Sequence, residues 1–225
     1  MGRVRSLNLQ PETRIGNYCV IENIGRGWEG EVYKVAEVPT EAIRALKLFR
    51  TDGLDSIRHL VHFAWYYEQV RCTGHFPIYY HYGQWFFDDD NGCWFLVFEF
   101  ISGKPLNKVV ESGCSQDEKK TLFFQLASAL ANVHEHGYAV GDFSTLDNVF
   151  LAEGRGIVFI DCNPGEPDQP NTDFRYDCRK ELIPAATRIF GRSKPTTVKA
   201  LVNAINKTED FTKETLRKLL QRANQ

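Results

Sequence analysis

The stretch "IGRGWEGEVYKV" carries glycines in the spacing G-x-G-x-x-G, at Gly25, Gly27 and Gly30. Glycines in this spacing let main-chain N–H groups approach phosphates because no Cβ stands in the way. A dinucleotide-binding loop with the same spacing would open a helix. Here the glycines are followed by "EVYKV", whose alternating pattern predicts a strand. We therefore expect a glycine-rich flap between two antiparallel strands.

The composition argues against several other classes of protein. A length of 225 residues suits one domain or two small lobes, and a net charge of -2 gives no reason to expect nucleic acid as a partner. No apolar run approaches the ~20 residues that cross a bilayer, so we expect no transmembrane segment. The six cysteines lack C-x-x-C spacing and are expected to be buried thiols of a reducing, cytoplasmic compartment.

The first residues, "MGRVRS", match the pattern for N-myristoylation, with Gly2 as the acceptor and Ser6 at the required position. A pattern this short also arises by chance, and a frayed polar N-terminus is the favoured interpretation. Myristoylation would matter only if the protein is made in, or delivered into, a eukaryotic cell.

Hydrophobic periodicity in the first hundred residues is typical of five strands and one helix. The predicted elements are two strands in residues 17–35, a third strand in 42–50, a helix in 55–71, and two aromatic-rich strands joined by a hairpin turn at Asn91-Gly92.

The remaining residues are predicted to be mainly helical. Ser115 is a suitable N-cap for a helix that ends near His136 and carries an apolar stripe. A second helical region is predicted from Asp173 to Phe190, followed by two or three small helices. We place the boundary between the two regions at the "SGKP" turn, residues 102–105.

With these elements in place, the chain resembles the protein-kinase-like superfamily. The family loop G-x-G-x-x-G-x-V is similar to the three glycines and Val32, and the third-strand lysine motif is similar to "RALK", which ends at Lys47. The resemblance implies a two-lobed α+β fold with a five-stranded antiparallel N-lobe, one N-lobe helix and a reduced, mainly helical C-lobe. It implies one domain over residues 1–225, with the N-lobe at about 12–101, the hinge at about 99–105 and the C-lobe at about 106–225.

The resemblance assigns nucleotide-binding roles in the N-lobe. Lys47 would bind the α- and β-phosphates of ATP and pair with a helix glutamate, for which Glu68 is the one acidic candidate within residues 56–80. The stretch "LVFEFISGKPL" is similar to the hinge, so the carbonyl of Glu99 and the amide of Ile101 would hydrogen-bond adenine. The residues that would line the adenine pocket are Phe98 at the back, Ile24, Val32 and Ala45 at the roof, and Phe150 at the floor.

The segment "YAVGDFSTLDNVFL" is similar to the catalytic loop H-R-D-L-x-x-x-N of the family. Asp142 would be the catalytic base that orients the acceptor hydroxyl. Asn148 stands one residue later than the family asparagine and is preferred as a Mg²⁺ ligand. Asp147 is the alternative, because a carboxylate binds Mg²⁺ at least as readily as an amide. In "VFIDCN", Asp161 takes the place of the aspartate that holds Mg²⁺ between the β- and γ-phosphates.

Three departures from the family pattern bear on activity. No arginine precedes Asp142, which implies activity without control by activation-loop phosphorylation. Residues 143–147, "FSTLD", lack the lysine that steadies the γ-phosphate in Ser/Thr kinases. The segment from Asp161 to Asp177, the residue expected to anchor the catalytic loop, is short, rich in proline and without an A-P-E motif. In this respect the chain resembles the minimal, C-lobe-truncated kinases of bacterial effectors.

The favoured hypothesis is a minimal kinase that transfers the γ-phosphate of ATP to a Ser or Thr hydroxyl of a protein, with ATP and Mg²⁺ as cofactors. The alternatives are a small-molecule kinase of the same fold, transfer of AMP, and a pseudokinase that serves as a nucleotide-binding interaction module. The retained Lys47, Glu68, Asp142 and Asp161 argue against the pseudokinase. We expect a cytoplasmic protein whose partner is a protein substrate or a small molecule with a hydroxyl group. If the chain is an effector, its target would be a host protein.

Overall fold

The computed structural model describes residues 7–27, 29–50, 54–87, 92–166 and 169–223. The chain divides into two compact units, one of residues 1–69 and 77–101 and the other of residues 70–76 and 102–225. The last break between the two units, between residues 101 and 102, therefore falls at the predicted "SGKP" turn. The predicted turn residue Asn91 and the myristoylation residues Gly2 and Ser6 lie outside the described residues.

The described part of the first unit contains a six-stranded antiparallel sheet and one helix, α1 (Leu54–Val70). The strands in chain order are β1 (Arg14–Ile15), β2 (Tyr18–Arg26), β3 (Gly30–Glu37), β4 (Ile43–Phe49), β5 (Tyr79–Phe86) and β6 (Gly92–Glu99). Across the sheet their order is β1-β2-β3-β4-β6-β5. The five predicted strands are present, but the predicted number was one too low. The sequence did not indicate β1 because two residues are too few to show an alternating pattern.

Side chains alternate between the two faces of this sheet. One face forms a hydrophobic core built from Ile15, Tyr18, Val20, Tyr33, Val35, Leu46, Leu48, Cys93, Phe95 and Val97. The strand register pairs Val32 with Lys47, and Ala45 with Phe98. Paired residues share a face, and so do residues two apart in a strand, so these four side chains project from the face opposite the core. The sheet therefore places Lys47 and three predicted pocket residues on one surface.

The second unit is mainly helical. Its helices are α2 (Leu106–Glu111), α3 (Gln116–Glu135), α4 (Phe174–Tyr176), α5 (Ile183–Phe190), α6 (Thr196–Lys207) and α7 (Thr215–Ala223). Its strands are β7 (Gly103–Pro105), β8 (Val149–Ala152), β9 (Gly156–Phe159), β10 (Gly165–Glu166) and β11 (Gln169–Pro170). The first three of these strands form one antiparallel sheet, and the last two form another. Over the described ranges, no helix is both long enough and apolar enough to cross a membrane.

Helix α3 begins at a capping box, as the sequence predicted. The hydroxyl of Ser115 accepts a hydrogen bond from the main-chain N–H of Glu118, and the Glu118 carboxylate accepts one from the Ser115 N–H at 2.7 Å. Each bond satisfies an N–H group that has no partner inside the helix. The predicted apolar stripe is buried and consists of Leu122, Leu126, Leu130 and Val133. Local signals therefore suffice to define this helix.

The predicted helical region from Asp173 to Phe190 is interrupted by a π-helical turn, Asp177–Leu182, between α4 and α5. Pro184 contributes to the interruption because its ring nitrogen cannot donate the hydrogen bond that an α-helix would make to the carbonyl of Lys180. The wide turn carries two buried carboxylates, those of Asp177 and Glu181. Both accept hydrogen bonds from main-chain N–H groups of residues 140–144.

All six cysteines are free thiols. Cys93, Cys162 and Cys178 are buried, as predicted, and burial strongly raises the pKa of the Cys178 thiol. The prediction is wrong for Cys72, which is exposed, because this residue lies in a short 3₁₀ turn after α1 where few side chains can cover it.

Candidate active site

The glycine-rich flap connects β2 and β3, as the sequence predicted. Gly25 pairs with Val32 in the strand register, and the N–H of Gly27 donates to the carbonyl of Gly30 at 2.9 Å. A Cβ on Gly30 would lie 2.1 Å from the carbonyl oxygen of Leu48, so only glycine allows β3 to pass this close to β4. The predicted roof residue Ile24 lies at an irregularity of the β2–β3 pairing and is largely exposed.

The ammonium group of Lys47 is held by a carboxylate of the flap. Its Nζ lies 2.9 Å from Oε2 of Glu29. The same nitrogen lies almost equally far from two aromatic rings, 5.2 Å from the ring centre of Phe49 and 5.3 Å from that of Phe63. The Lys47 side chain is only 13% exposed. An anion is therefore favoured at this position, and an ATP phosphate oxygen is an anion of the same kind as the Glu29 carboxylate.

Glu68, the predicted partner of Lys47, is an exposed residue of α1. Its charge acts on Tyr79: burial, assisted by the charges of Tyr82 and Glu68, raises the pKa of Tyr79 to about 12. The ring of Phe63, also in α1, lies beside the ammonium of Lys47. The pairing of Glu68 with Lys47 therefore stays a prediction.

The predicted hinge follows the end of β6. The N–H of Glu99 donates to the carbonyl of Ile78 at 2.8 Å, and the Glu99 carboxylate accepts from the Ile78 N–H at 3.1 Å, so this strand end is fixed from two sides. Phe98 is buried against the ring of Tyr67 at 4.6 Å between ring centres. Within the described part of the chain, the amide of Ile101 has no hydrogen-bond partner. That amide is the group predicted to contact adenine.

In the second unit, Asp177 anchors the predicted catalytic loop. Its buried carboxylate accepts hydrogen bonds from the N–H groups of Val140 and Gly141, at 2.7 and 2.8 Å. It also lies 2.9 Å from Nε2 of His134, a fully buried side chain of α3. Because a carboxylate can only accept, Nε2 carries the hydrogen of this imidazole. The expectation that Asp177 fixes the loop backbone is confirmed.

Glu181 fixes the same loop on the other side of Asp142. Its buried carboxylate accepts from the N–H of Phe143 at 2.9 Å and from that of Ser144 at 2.6 Å. Asp142 itself is exposed and has a φ of +51°, a conformation that non-glycine residues seldom adopt. Such strain persists only where the surrounding structure enforces it, and here the two buried carboxylates do so. The sequence analysis did not identify Glu181, although its spacing of four from Asp177 places both on one helix side.

Asn148 brings the predicted polar residues of this unit together. Its side-chain amide donates to the main-chain oxygen of Asp142 at 2.9 Å and to the carboxylate of Asp142 at 3.3 Å. Its main-chain oxygen accepts from the N–H of Ile160 at 3.0 Å, which joins it to the residue before Asp161. The N–H of Asn163 likewise donates to the carbonyl of Val140 at 2.9 Å. Asp142, Asn148 and Asp161 therefore belong to one hydrogen-bonded group of loops.

Asp147, the alternative Mg²⁺ ligand, has a different partner. Its carboxylate accepts a hydrogen bond from the side-chain amide of Asn107 in α2. The carboxylate of Asp161 accepts from the N–H of Cys162 at 3.1 Å. The geometry thus places Asn148, and not Asp147, at the side chain of Asp142.

The described residues hold no group of three or more His, Cys, Asp or Glu side chains that could bind a metal ion by themselves. The predicted Mg²⁺ ligands are one carboxylate, Asp161, and one amide, Asn148. Mg²⁺ commonly takes one or two protein ligands and completes its octahedron with phosphate oxygens and water, so this donor set fits the ion. Phe150, the predicted floor residue, lies in β8 opposite Pro105 and Val158 and is partly buried.

Comparisons with known proteins bear on this arrangement. No protein family model matches the chain. The human serine/threonine-protein kinase Nek10 is 26% identical over 181 residues, which is 73% of this chain but only 15% of Nek10. The crystal structure of the Mycobacterium tuberculosis PknI kinase domain matches with a TM-score of 0.61 at 16% identity, covering 96% of this chain and 99% of that one. A double mutant of the same domain matches with a TM-score of 0.64 at 15% identity, over 96% of this chain and 100% of that one.

Proposed function

We propose that the chain, which has a protein-kinase-like fold, belongs to the protein-kinase-like superfamily and is an ATP-dependent phosphotransferase. More specifically, we propose a minimal protein kinase that transfers the γ-phosphate of ATP to a Ser or Thr hydroxyl of a protein. The observation that carries the proposal is the hydrogen-bonded group of loops with Asp142, Asn148 and Asp161. The buried carboxylate of Asp177 holds the main chain of this group by a hydrogen bond from the N–H of Gly141. A protein that only bound a partner would have no chemical need for this arrangement.

In the proposed reaction Asp142 orients the acceptor hydroxyl and takes up its proton. Its carboxylate is exposed, and its main chain is fixed by hydrogen bonds to the residues on both sides. Phosphoryl transfer requires mainly positioning and neutralisation of charge, and a carboxylate held in place would supply the positioning of the acceptor. Lys47 would neutralise phosphate oxygens, and Asn148 and Asp161 would hold Mg²⁺, which lowers the negative charge of the phosphates when bound.

The loop does not depend on an activating phosphate. Gly141 stands where the family has the arginine that pairs with a phosphorylated activation loop. A Cβ on Gly141 would lie 2.9 Å from the Cβ of Asn163, so the packing does not accommodate a larger residue there. Asp177 and Glu181 hold the loop by neutral N–H groups instead. We therefore propose activity without activation-loop phosphorylation.

A small-molecule acceptor is the second candidate. Residues 143–147 contain no lysine or arginine, whereas Ser/Thr kinases use a lysine there. The N–H of Ser144, at that lysine's position, is bound by Glu181 at 2.6 Å. Without that lysine, the protein makes fewer contacts to the transferred phosphate. This favours a small acceptor molecule whose own polar groups bind it close to that phosphate. We propose a cytoplasmic location for either activity, and a host protein as the target if the chain is an effector.

The test is incubation with γ-labelled ATP and Mg²⁺, alone and with cell lysate. Label on proteins supports the protein kinase, label on small molecules supports the second candidate, and no label with retained ATP binding supports a pseudokinase. The variants Lys47→Ala, Asp142→Ala and Asp161→Ala should each remove most transfer while the circular dichroism spectrum stays unchanged. Glu111→Gln, which removes an exposed ion pair with Lys108, is the matched control and should keep full transfer.

Turnover of ATP at the wild-type rate by Asp142→Ala would show that Asp142 is not the base. Asp147→Asn separates the two metal-ligand hypotheses: it should leave the Mg²⁺ dependence of transfer unchanged, whereas Asn148→Ala should shift it to higher Mg²⁺ concentration.

A further inference from the structure

A buried carboxylate lies at the root of the glycine-rich flap. Glu31 follows Gly30 directly at the start of β3, and its side chain is only 2% exposed. Its position alternates with that of Val32, so it projects toward the core face of the sheet. A buried carboxylate is strongly unfavourable unless other groups supply charge and hydrogen bonds. The groups that do so show what Glu31 connects.

The first set of partners comes from residues 7–9, which we call the N-terminal strap. The N–H groups of Leu7 and Asn8 donate to the two carboxylate oxygens of Glu31, at 3.1 and 3.3 Å. The N–H of Leu9 donates to the hydroxyl of Tyr33 at 3.1 Å, and that hydroxyl donates to Glu31. The side chains of Leu7 and Leu9 pack against the hydrophobic core of the unit. The strap is therefore docked by both polar and apolar contacts.

The second set of partners comes from the flap and from the end of the neighbouring strand β4. Arg26 lies between two of the flap glycines, and its Nε is 3.9 Å from Oε1 of Glu31. The same side chain donates to Oδ1 of Asn8 in the strap at 3.0 Å. Arg50, just after β4, lies 3.4 Å from Glu31, and its main-chain N–H donates to the carbonyl of Glu29 at 2.9 Å. One buried carboxylate thus joins the strap to Arg26 in the flap and to Arg50, whose main chain is bonded to Glu29 of the flap.

We propose that Glu31 is a positioning residue for the phosphate-binding flap and that the N-terminal strap completes the network through which it acts. The inference rests on the proposed function, since it concerns how the flap receives the phosphates of ATP. Glu31 projects to the face opposite Lys47, so its side chain would not contact a nucleotide bound at Lys47. It acts by holding the flap arms that carry Gly25, Gly27 and Gly30. Loss of the network leaves adenine contacts at the hinge intact and weakens contacts to phosphate.

This consequence separates positioning from a merely structural role. Replacing a residue that only stabilises the fold would change the affinities for ATP and adenosine alike, or would change neither. A residue that positions the flap should lower the affinity for ATP and leave that for adenosine, which has no phosphates, unchanged. The ratio of the two dissociation constants is therefore the diagnostic quantity.

The experiment compares Glu31→Gln and a chain lacking residues 1–8 with the wild type, by isothermal titration calorimetry with ATP and with adenosine in the presence of Mg²⁺. We expect the dissociation constant for ATP to rise about tenfold in both variants, because each loses charge-assisted hydrogen bonds. The dissociation constant for adenosine should stay the same. Two controls are matched to the variants. Glu22→Gln removes an exposed ion pair with Lys34 in the same sheet, and a chain lacking residues 1–4 keeps the strap. Both should bind as the wild type does.

The outcomes distinguish the inference from the proposed function. Wild type that binds neither ATP nor adenosine contradicts the proposed function. The wild type could bind ATP more tightly than adenosine, and the ratio of the two dissociation constants could be the same in Glu31→Gln and in the chain lacking residues 1–8. That result would contradict the positioning role and leave the proposed function standing. Loss of the folded state in both variants, seen by circular dichroism, also contradicts it, because Glu31 and the strap would then serve stability and not positioning.

Discussion

The ion pair between Lys47 and Glu29 places a carboxylate of the flap at the ammonium that is proposed to bind phosphate, at 2.9 Å. Glu29 is 45% exposed, so water screens the pair and limits its strength. We expect Glu29→Gln to bind ATP about two- to fivefold more tightly than the wild type, because phosphates no longer displace a carboxylate. Isothermal titration calorimetry measures the change.

The control for this substitution is Glu41→Gln, an exposed glutamate in the turn between β3 and β4. It changes the net charge by the same amount and should leave ATP affinity unchanged. Weaker binding by Glu29→Gln would mean that Glu29 orients Lys47 for the phosphates and does not compete with them.

Gly141 lies where the family places arginine, with a φ of +67°. An added Cβ there would lie 2.9 Å from the Cβ of Asn163, whereas an added Cβ on Gly137, whose φ is +91°, would have no atom within 4 Å. Alanine is strained by a positive φ at both positions, but only Gly141→Ala also displaces a neighbour. We expect Gly141→Ala to lower the free energy of unfolding by about 1–3 kcal/mol more than Gly137→Ala, as measured by urea denaturation. Equal losses would show that Asn163 moves aside freely.

At the scale of elements, the sequence predicted those structures whose signals are local. The capping box at Ser115 and the leucine stripe define α3, and the run after Gly30 defines the strand that follows the flap. The distances from the glycines to Lys47 and from Asp142 to Asp161 were enough to suggest a site. Each of these signals lies within a few residues of the element that it defines.

Other features depend on contacts between residues that are distant in sequence. The π-helical turn forms where Asp177 and Glu181 reach a loop more than thirty residues earlier in the chain, which no local pattern indicates. The short strand β1 forms only by pairing with β2. The carboxylate of Glu29 in the flap lies beside Lys47, a contact that the sequence did not indicate. A resemblance to a family supplies residue types at motif positions, but it does not show which flap side chain reaches a lysine of β4.

The capping box makes the stability of α3 depend on pH. The main-chain N–H of Ser115 holds the pKa of the Glu118 carboxyl below its ordinary value of 4.5. A carboxyl whose pKa is lower in the folded than in the unfolded protein stabilises the fold above the unfolded pKa, and this contribution is lost as the pH falls through the folded pKa. We expect Glu118→Gln to unfold at lower urea concentration than the wild type at neutral pH, and the difference to vanish once Glu118 is protonated in the folded protein.

Asp117→Asn is the control for the capping box. Asp117 lies in the same first turn of α3, so its replacement removes a negative charge near the positive end of the helix dipole without removing a capping bond. An equal effect of the two substitutions at neutral pH would show that the dipole, and not the capping bond, accounts for the contribution of Glu118.

At the scale of the whole molecule, the two units can be observed separately by spectroscopy. Of the four tryptophans, Trp65, Trp85 and Trp94 belong to the described part of the first unit, and Trp28 falls within the sequence range of that unit. Helices α2 to α7 belong to the second unit. Tryptophan fluorescence therefore reports unfolding of the first unit, and far-ultraviolet circular dichroism reports mainly the second. Coincidence of the two transitions tests whether the units unfold together.

This separation of probes allows a test of whether ATP engages both units. The proposed contacts come from Lys47 in the first unit and from Asn148 and Asp161 in the second. A ligand at about one hundred times its dissociation constant adds ~2.7 kcal/mol to the free energy of unfolding. We therefore expect ATP with Mg²⁺ to raise the urea midpoints of both the fluorescence and the circular dichroism transitions, and ATP with a chelator of Mg²⁺ to raise them less. Asp161→Ala should reduce the shift in both signals. A shift confined to fluorescence would show that the second unit does not contribute to ATP binding. That result would contradict the proposed phosphotransfer, which requires a contribution from Asn148 and Asp161.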